Sequence, residues 1–246
     1  MRALVVSDIH GNLQALQAVL QAAGDVDEIW NLGDAVGYGA NPNEVIATIR
    51  ERASVNVRGN HDRVCAGLTN AENFNPVAAQ AALWTRATLS PDNLAWLRAV
   101  PQGPIRTSER AAIAHGSPLD EDHYILSMRD AWTPLQRMQT ALTFFGHTHV
   151  QGAFAQQGAD WEEAHPHTNS EAEFHLDLLP DARYLINPGS VGQPRDRDPR
   201  AAFATYDSDR NCVIFHRIPY DVAGAQAAIR AAGLPERLAS RLETGR

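Results

Sequence analysis

The amino-acid sequence predicts an α/β fold organised on a parallel sheet, from three observations. Short apolar runs recur, and each stops abruptly at polar residues, as strands buried on both faces do. Between the first three runs lie segments whose apolar residues repeat at helical spacing. Residues able to hold metal follow directly after the runs, at the carboxyl ends of strands, where α/β sheets carry their ligands.

The first run, Ala3 to Val6, reads as a strand ending at Ser7 and Asp8. Asn12 has the short polar side chain of a helix N-cap, ahead of Leu13, Leu16 and Leu20 on one helical face. Glu28 to Leu32 forms the second strand and puts Asp34 just past its end. Pro42, whose fixed φ suits a first helical turn, opens a helix carrying Val45, Ile46 and Ile49. Val55 to Val57 is a third strand and delivers Gly59 to Asp62. Residues 73–99, rich in Ala and carrying Trp84, Leu89, Leu94, Trp96 and Leu97, read as helical. Beyond Pro101 the character changes: Ile105 to Thr107 and Ala111 to Ala114 read as paired strands, the second delivering His115. Leu142 to Phe145 delivers His147, and Tyr184 to Ile186 delivers Asn187. Ala202 to Tyr206 and Cys212 to Ile218 flank the hairpin turn Asp207-Ser208-Asp209-Arg210-Asn211. Two Ala-rich helices, separated by Gly233 and Pro235, close the chain. Residues 156–182 fit least well; Gln156-Gln157-Gly158 and His165 to Glu171 are polar, and the segment reads as a loop or hairpin excursion. With no internal repeat and no evident boundary, residues 1–246 are taken as a single domain.

At 246 residues, 44% hydrophobic and 20% charged, the chain has the length for one large core and the make-up of an ordinary soluble globular protein. A net charge of −8 argues against a broad basic surface for nucleic acid. No apolar run approaches membrane-spanning length, and the first one leads straight into Asp8 with no cleavable signal before it. Cys65 and Cys212 lie far apart and suit buried free thiols in a reducing cytosol, so a cytoplasmic location is expected.

Five islands of metal-binding residues run along the chain: Asp8-Ile-His10, Gly33-Asp34, Gly59-Asn60-His61-Asp62, His115-Gly116 and Gly146-His147-Thr148-His149. Pooled, they offer two carboxylates, one amide oxygen and four imidazoles, with one histidine to spare, which is the set a two-metal centre needs. Hard oxygen with borderline nitrogen suits Mn, Fe or Zn better than Ca. Two such cations make hydroxide near neutral pH and clamp both oxygens of an in-line phosphoryl displacement. Singly, each island has a plainer account: Asp8 and Asp34 as turn aspartates, Asn60 as a helix N-cap. Asp8 and His10 stand two apart after a strand, where extended backbone aims i and i+2 to the same side; His147 and His149 can face one pocket with Thr148 turned away.

The order DxH, GD, GNHD, H, GHTH resembles the signature of the calcineurin-like metallophosphoesterase superfamily. His115-Gly116-Ser117-Pro118 and the stretch Asn187 to Arg195 further resemble its small bacterial and archaeal phosphodiesterase branch, and the match spans residues 3 to about 208. The resemblance implies a four-layer αββα sandwich, two mixed sheets face to face with helices outside. It implies that Asp8, His10, Asp34 and His149 hold one metal and Asp34, Asn60, His115 and His147 the other, with Asp34 as the bridge. It further implies attack on phosphorus by a metal-bridging hydroxide, with His61 contacting the phosphate and protonating the leaving oxygen as an imidazolium. The cofactors would be two divalent transition-metal ions (Mn, Fe or Zn), and the substrate a phosphate-ester small molecule or nucleotide. Two cations bring about +4, from which Asp8, Asp34 and a hydroxide subtract about 3, so the pocket stays positive in an acidic protein.

The chain also departs from its phosphatase relatives. Eukaryotic-type Ser/Thr phosphatases read GDxVDRG where this one reads Gly33-Asp34-Ala35-Val36-Gly37-Tyr38-Gly39. Gly37 replaces the acid that orients the catalytic histidine, and Tyr38 replaces the phosphate-clamping arginine; Asp62 is the candidate to orient His61 instead. Without that bidentate fork, a singly charged phosphodiester is preferred over a dianionic monoester. The alternatives are a phosphomonoesterase or phosphoprotein phosphatase, and a non-catalytic scaffold of the same fold, against which retention of all seven ligands and the spare histidine counts. Arg195 is a candidate substrate contact unless Asp196 and Asp198 neutralise it, and Tyr38, Asn41 and Tyr124 are candidate lining residues. His165, His167 and His175 look like a second metal cluster but read as solvated loop histidines.

Overall fold

Residues 1–166 and 173–246 are described by a computed structural model. Along the chain come β1 (Arg2–Val6), α1 (Leu13–Ala23), β2 (Glu28–Asn31), α2 (Pro42–Arg52), β3 (Val55–Asn56) and α3 (Asn60–Cys65). Then follow α4 (Pro76–Thr88), α5 (Pro91–Ala99), β4 (Ile105–Arg106), β5 (Ala111–Ile113), α6 (Met128–Arg137), β6 (Leu142–Phe144), β7 (Gly152–Gln157) and β8 (Asp160–Ala164). The last are β9 (Glu173–Asp177), β10 (Arg183–Asn187), β11 (Ala201–Asp207), β12 (Cys212–Ile218), α7 (Val222–Ala231), α8 (Glu236–Ser240) and a 3-10 turn, Arg241–Glu243.

The strands form two six-stranded mixed sheets, ordered β3-β2-β1-β11-β12-β9 and β4-β5-β6-β10-β7-β8. In the first, β1, β2 and β3 run parallel, as the alternating strand and helix signals require, and β11 joins β1 antiparallel. Alternate residues of β1 point to opposite faces. Ala3 and Val5 pack with Trp30, Phe144, Ile186 and Phe215 between the two sheets, while Leu4 and Val6 pack outward with Leu16, Val19, Val45 and Ile49. Coverage of both faces explains the unbroken apolar run. On the far side Phe154 and Leu185 lie under Ala131 and Leu135 of α6. The result is the αββα sandwich, with Trp30 and Phe144 in edge contact at its centre (5.6 Å between centroids, 68° between planes).

Differences from the sequence expectation follow from weak local patterns. The helical stretch 73–99 divides where Leu89 leaves helical geometry and Ser90 caps α5 by accepting from Asn93 N–H (3.2 Å). The polar segment 156–182 is more than an excursion: β8 pairs with β7 in one sheet and β9 pairs with β12 at the edge of the other. Being edge strands with little buried surface, they need few apolar residues, so no run marks them. His167 lies outside the described residues. Helix α6, for which the sequence carried no clear signal, has Pro134 inside it and buries only Ala131, Pro134 and Leu135. Cys65 and Cys212 are buried and free. No helix among the described residues is long and apolar enough to cross a membrane.

Candidate metal centre

The loops after β1 and β2 are laced together by main-chain hydrogen bonds: Asp8 N–H donates to Gly33 O (3.0 Å), His10 N–H to Asp34 O (2.9 Å) and Gly11 N–H to Ala35 O (2.8 Å). This lacing holds Asp8, His10 and Asp34 at φ of 53°, 52° and 53°, and His147 and His149 sit at 69° and 61°. Their side chains therefore converge from left-handed backbone, not from the extended i, i+2 geometry expected. Of the eight non-glycine residues with positive φ among the described residues, these five belong to the ligand set. Each such residue costs about 1–2 kcal/mol, so backbone strain is concentrated where function would use it. Gly59 is needed for a different reason: a Cβ there would overlap Asp34 Oδ1 outright. Gly59, not Asn60, is the N-cap of α3, so Asn60 is not engaged as a cap.

Each histidine has one ring nitrogen against a main-chain carbonyl. His10 Nδ1 lies 3.1 Å from Val36 O, His149 Nδ1 2.6 Å from Gln193 O, His115 Nδ1 2.9 Å from Leu32 O, and His147 Nε2 3.2 Å from Asp122 O. A carbonyl only accepts, so these four nitrogens donate, and the opposite nitrogens, which carry lone pairs in the neutral rings, are turned to the centre. Those nitrogens meet in twos: His10 Nε2 with His149 Nε2 and His115 Nε2 with His147 Nδ1, both at 3.1 Å. The carboxylates complete the pattern. Asp8 Oδ2 accepts from His147 N–H (3.0 Å), leaving Oδ1 buried without a hydrogen-bond partner, 3.2 Å from His149 Nε2. Asp34 Oδ1 accepts from His61 N–H (2.8 Å), leaving Oδ2 3.7 Å from His10 Nε2 and 3.4 Å from His115 Nε2. Asn60 Oδ1 lies 3.2 Å from His115 Nε2.

Two buried triads result, Asp8-His10-His149 and Asp34-His115-His147, with Asp34 Oδ2 facing both. Ligands about 2.0–2.1 Å from a common metal stand about 3.0–3.4 Å apart, close to the 3.1–3.8 Å found here. Lone pairs crowded against an unpartnered carboxylate oxygen repel unless a cation lies among them, so these side chains could hold two divalent ions. Electrostatics agree. Burial holds His10 well below its ordinary pKa despite Asp34 and Asp8, and burial with Arg195 lowers His149, so no proton serves between those two rings. At His115 burial also lowers the pKa, but the charge and hydrogen bond of Asp34 outweigh it and raise the group to about 10. In the metal-free protein a proton stands there for the cation.

His61 is buried, its ring packed against Tyr38 (4.3 Å between centroids), Phe74 (4.4 Å) and His10 (4.9 Å). Its Nδ1 has no hydrogen-bond partner and faces Gly37, where any Cβ would collide with the ring. Asp62 does not orient it. The Asp62 carboxylate accepts from Gly59 N–H (3.1 Å) and Val36 N–H (3.2 Å), which caps α3 and fixes the Asp34 loop. Aromatic packing takes the place of the expected hydrogen bond. Burial and the neighbouring Asp34 push Asp62 up to about 7, while burial pulls His61 down to about 4 against the opposing charge of Asp34.

Two recesses open beside the centre. One, of about 440 Å³, is lined by Tyr38, Asn60, His61, Phe74, Tyr124 and Arg195, among others. The second, of about 540 Å³, shares Asn60, Phe74 and Tyr124 and adds His147, Arg63 and Asp122. Tyr124 stacks on His147 (3.8 Å, 29°). Arg195 is not neutralised by its sequence neighbours, because Asp196 pairs with Arg217 and Asp198 with Arg200. Its Nη2 donates to Gln193 Oε1 (3.1 Å) and approaches Tyr38 Oη (3.5 Å). Asn41 lines neither recess; it borders a crevice of about 10 Å³ with His10, Tyr38 and Gly192, which removes it from the expected substrate contacts. His165 and His175 are exposed, each beside a glutamate, Glu163 and Glu173, and do not join in a cluster. The carbonyls of Val36, Gln193, Leu32 and Asp122, and Phe74, went unread in the sequence. Main-chain acceptors leave no residue signature, and Phe74 reads simply as an apolar residue.

Comparison with known proteins agrees with this geometry. Residues 1–211 match the calcineurin-like phosphoesterase superfamily domain. The chain is 35% identical to the uncharacterized protein MJ0912 of Methanocaldococcus jannaschii over 247 residues, 98% of this chain and 97% of that protein. It superposes on a metallophosphoesterase from Sphaerobacter thermophilus with a TM-score of 0.87 at 42% identity, covering 100% of this chain and 99% of that one. The hypothetical protein PH1004 of Pyrococcus horikoshii OT3 shares the fold at a TM-score of 0.79 and 19% identity, over 100% of this chain and 98% of its own. With two buried Asp/His triads in the family's order, the chain belongs to the calcineurin-like phosphoesterase superfamily.

Proposed function

We propose that this metal-dependent phosphoesterase acts on phosphodiesters, hydrolysing them at a dinuclear centre held by Asp8, His10, Asp34, Asn60, His115, His147 and His149. The observation that supports a diester is the pair of recesses meeting at Asn60, Phe74 and Tyr124, which offers room for a substituent on either side of the phosphorus. Two divalent cations, when bound, supply a nucleophile from water at neutral pH and positive charge for the phosphoryl oxygens. Mn, Fe and Zn all suit the donor set.

The chain's own residues do the rest. Asp34 Oδ2 joins the two halves of the site, and Asn60 contributes an uncharged oxygen that limits its negative charge. His61 rests as a neutral imidazole, because burial holds it near 4. With Nδ1 enclosed against Gly37, Nε2 is the nitrogen that reaches substrate. A bound phosphoryl anion raises the ring's pKa, so His61 acquires a proton with substrate and delivers it to the leaving oxygen. Free buried thiols at Cys65 and Cys212 fit a reducing compartment, and we place the enzyme in the cytoplasm.

Arg195 favours a second reading, a phosphomonoesterase. Its guanidinium lies 5.9 Å from the Tyr38 ring centroid, so the cation missing at position 38 arrives from another loop. The preference for diesters therefore rests on the two recesses and not on Tyr38. The test is kcat/KM for bis(p-nitrophenyl) phosphate against p-nitrophenyl phosphate, with Mn returned to metal-stripped protein. A higher value for the diester is expected; a higher value for the monoester would establish the second reading. Turnover of neither by protein carrying two metals would remove both and leave a scaffold.

A further inference from the structure

We propose that the substrate carries a second phosphate group, seated by Arg195, Arg237 and Arg241 in the recess beside His61; that one phosphate is the reacting one rests on the phosphoesterase reading. Besides Asn60 and His61, the recess of about 440 Å³ is lined by Arg237 of α8 and Arg241 of the closing 3-10 turn, together with Arg195. Some arginines of this acidic chain pair with carboxylates, Arg58 and Arg63 with Glu121, Arg217 with Asp196 and Arg230 with Glu236. The three lining the recess form no ion pair with a carboxylate side chain among the described residues. Arg195 Nε is buried without a hydrogen-bond partner, and Arg241 Nε donates to the Arg246 main-chain oxygen.

These guanidinia line one recess and act on one another electrostatically. Burial, then Arg195 and Arg237, pull Arg241 down to about 10 against the opposing effect of Tyr38, and it remains charged at neutral pH. Three cations lining one recess make it a favourable place for an anion. A single phosphate at the centre would already meet two divalent ions, so the arginines exceed its need. The guanidinium fork matches phosphate oxygens in paired hydrogen bonds. The arrangement is also built in advance. Arg197 N–H donates to Gly245 O (2.8 Å), tying the last turn to the Arg195 loop, and Leu238 and Leu242 pack in one cluster with Tyr38. The superfamily match ends at residue 211, so Arg237 and Arg241 come from a segment beyond it.

The probes are thymidine 5′-monophosphate, thymidine 5′-triphosphate and thymidine 3′,5′-bisphosphate, titrated calorimetrically into metal-stripped protein. The triphosphate presents adjacent phosphates and the bisphosphate a remote one. At least one should bind about tenfold or more tighter than the monophosphate, as charge-assisted hydrogen bonds to arginine require. In the double variant Arg237→Gln/Arg241→Gln that advantage should fall to about threefold or less. Arg237→Gln alone, at an exposed position, should lower it partway if the double variant does not fold. Equal affinity for all three nucleotides, or an advantage that survives the substitutions, would overturn the proposal. Because no metal is present, failure of ester hydrolysis would not mask either outcome, and ester hydrolysis without the binding advantage would overturn the second-phosphate subsite alone.

Discussion

Four imidazoles at this centre each commit one nitrogen to a main-chain carbonyl, of Val36, Gln193, Leu32 or Asp122, so their other nitrogens are aimed at the centre before any metal arrives. His115 gives this a measurable consequence. Its pKa in the metal-free protein is raised from 6.5 to about 10 by Asp34 in spite of burial. A folded pKa above the unfolded one stabilises the metal-free fold fully below pH 6.5, and that contribution is lost as pH rises towards 10. Metal must displace the same proton. Within that window uptake should release a proton and apparent affinity should rise about tenfold per pH unit. Calorimetry in buffers of different ionisation enthalpy reads the release, and pH-independent affinity would contradict the proton assignment. At His61, General acid assistance is typically worth about 10²–10⁴-fold. His61→Ala should slow alkyl or nucleoside esters far more than nitrophenyl esters, whose leaving group departs without a proton, and metal content should hold. Equal losses on both would make His61 a phosphate-positioning residue.

At the scale of the element, strands buried on both faces were legible because their composition is forced. Ala3 to Val6 must face the other sheet with two residues and α1 and α2 with the others, so no polar residue fits. The helices opened by Asn12 and Pro42 were legible through their caps. Strands β8 and β9 were not, because an edge strand alternating exposed and half-buried residues has the composition of a loop. The left-handed turns at Asp8, His10 and Asp34 were equally hidden, since they are imposed by lacing between distant loops. The seven ligand candidates could nevertheless be named, because their order along the chain does not depend on that backbone detail. The sandwich core sets a stability expectation. Phe144 is fully buried between the sheets, and Phe144→Ala should cost about 3–5 kcal/mol in denaturant unfolding of metal-free protein. Leu83→Ala, at a position 57% exposed on α4, should stay within about 0.5 kcal/mol. Similar losses at both would contradict the placement of the core.

Across the whole molecule, a chain of net charge −8 gathers two buried carboxylates, four imidazoles and three arginines without a carboxylate side-chain partner among the described residues around one pair of recesses. The metal side of that arrangement could be read from sequence because its residues fall in short islands. The arginine side could not: Arg237 and Arg241 lie about forty residues beyond Arg195, in helices whose docking only the tertiary structure reveals. Asp34 faces both halves of the centre, with Oδ2 3.7 Å from His10 Nε2 and 3.4 Å from His115 Nε2. Its replacement separates a shared centre from two independent sites. The decisive measurement is elemental analysis of protein reconstituted with Mn or Zn, comparing wild type, Asp34→Asn and His149→Ala. The wild type should carry two equivalents, Asp34→Asn should lose occupancy at both sites because an amide does not bridge as a carboxylate does, and His149→Ala should lose chiefly one. Full occupancy in Asp34→Asn would contradict the bridged dinuclear centre.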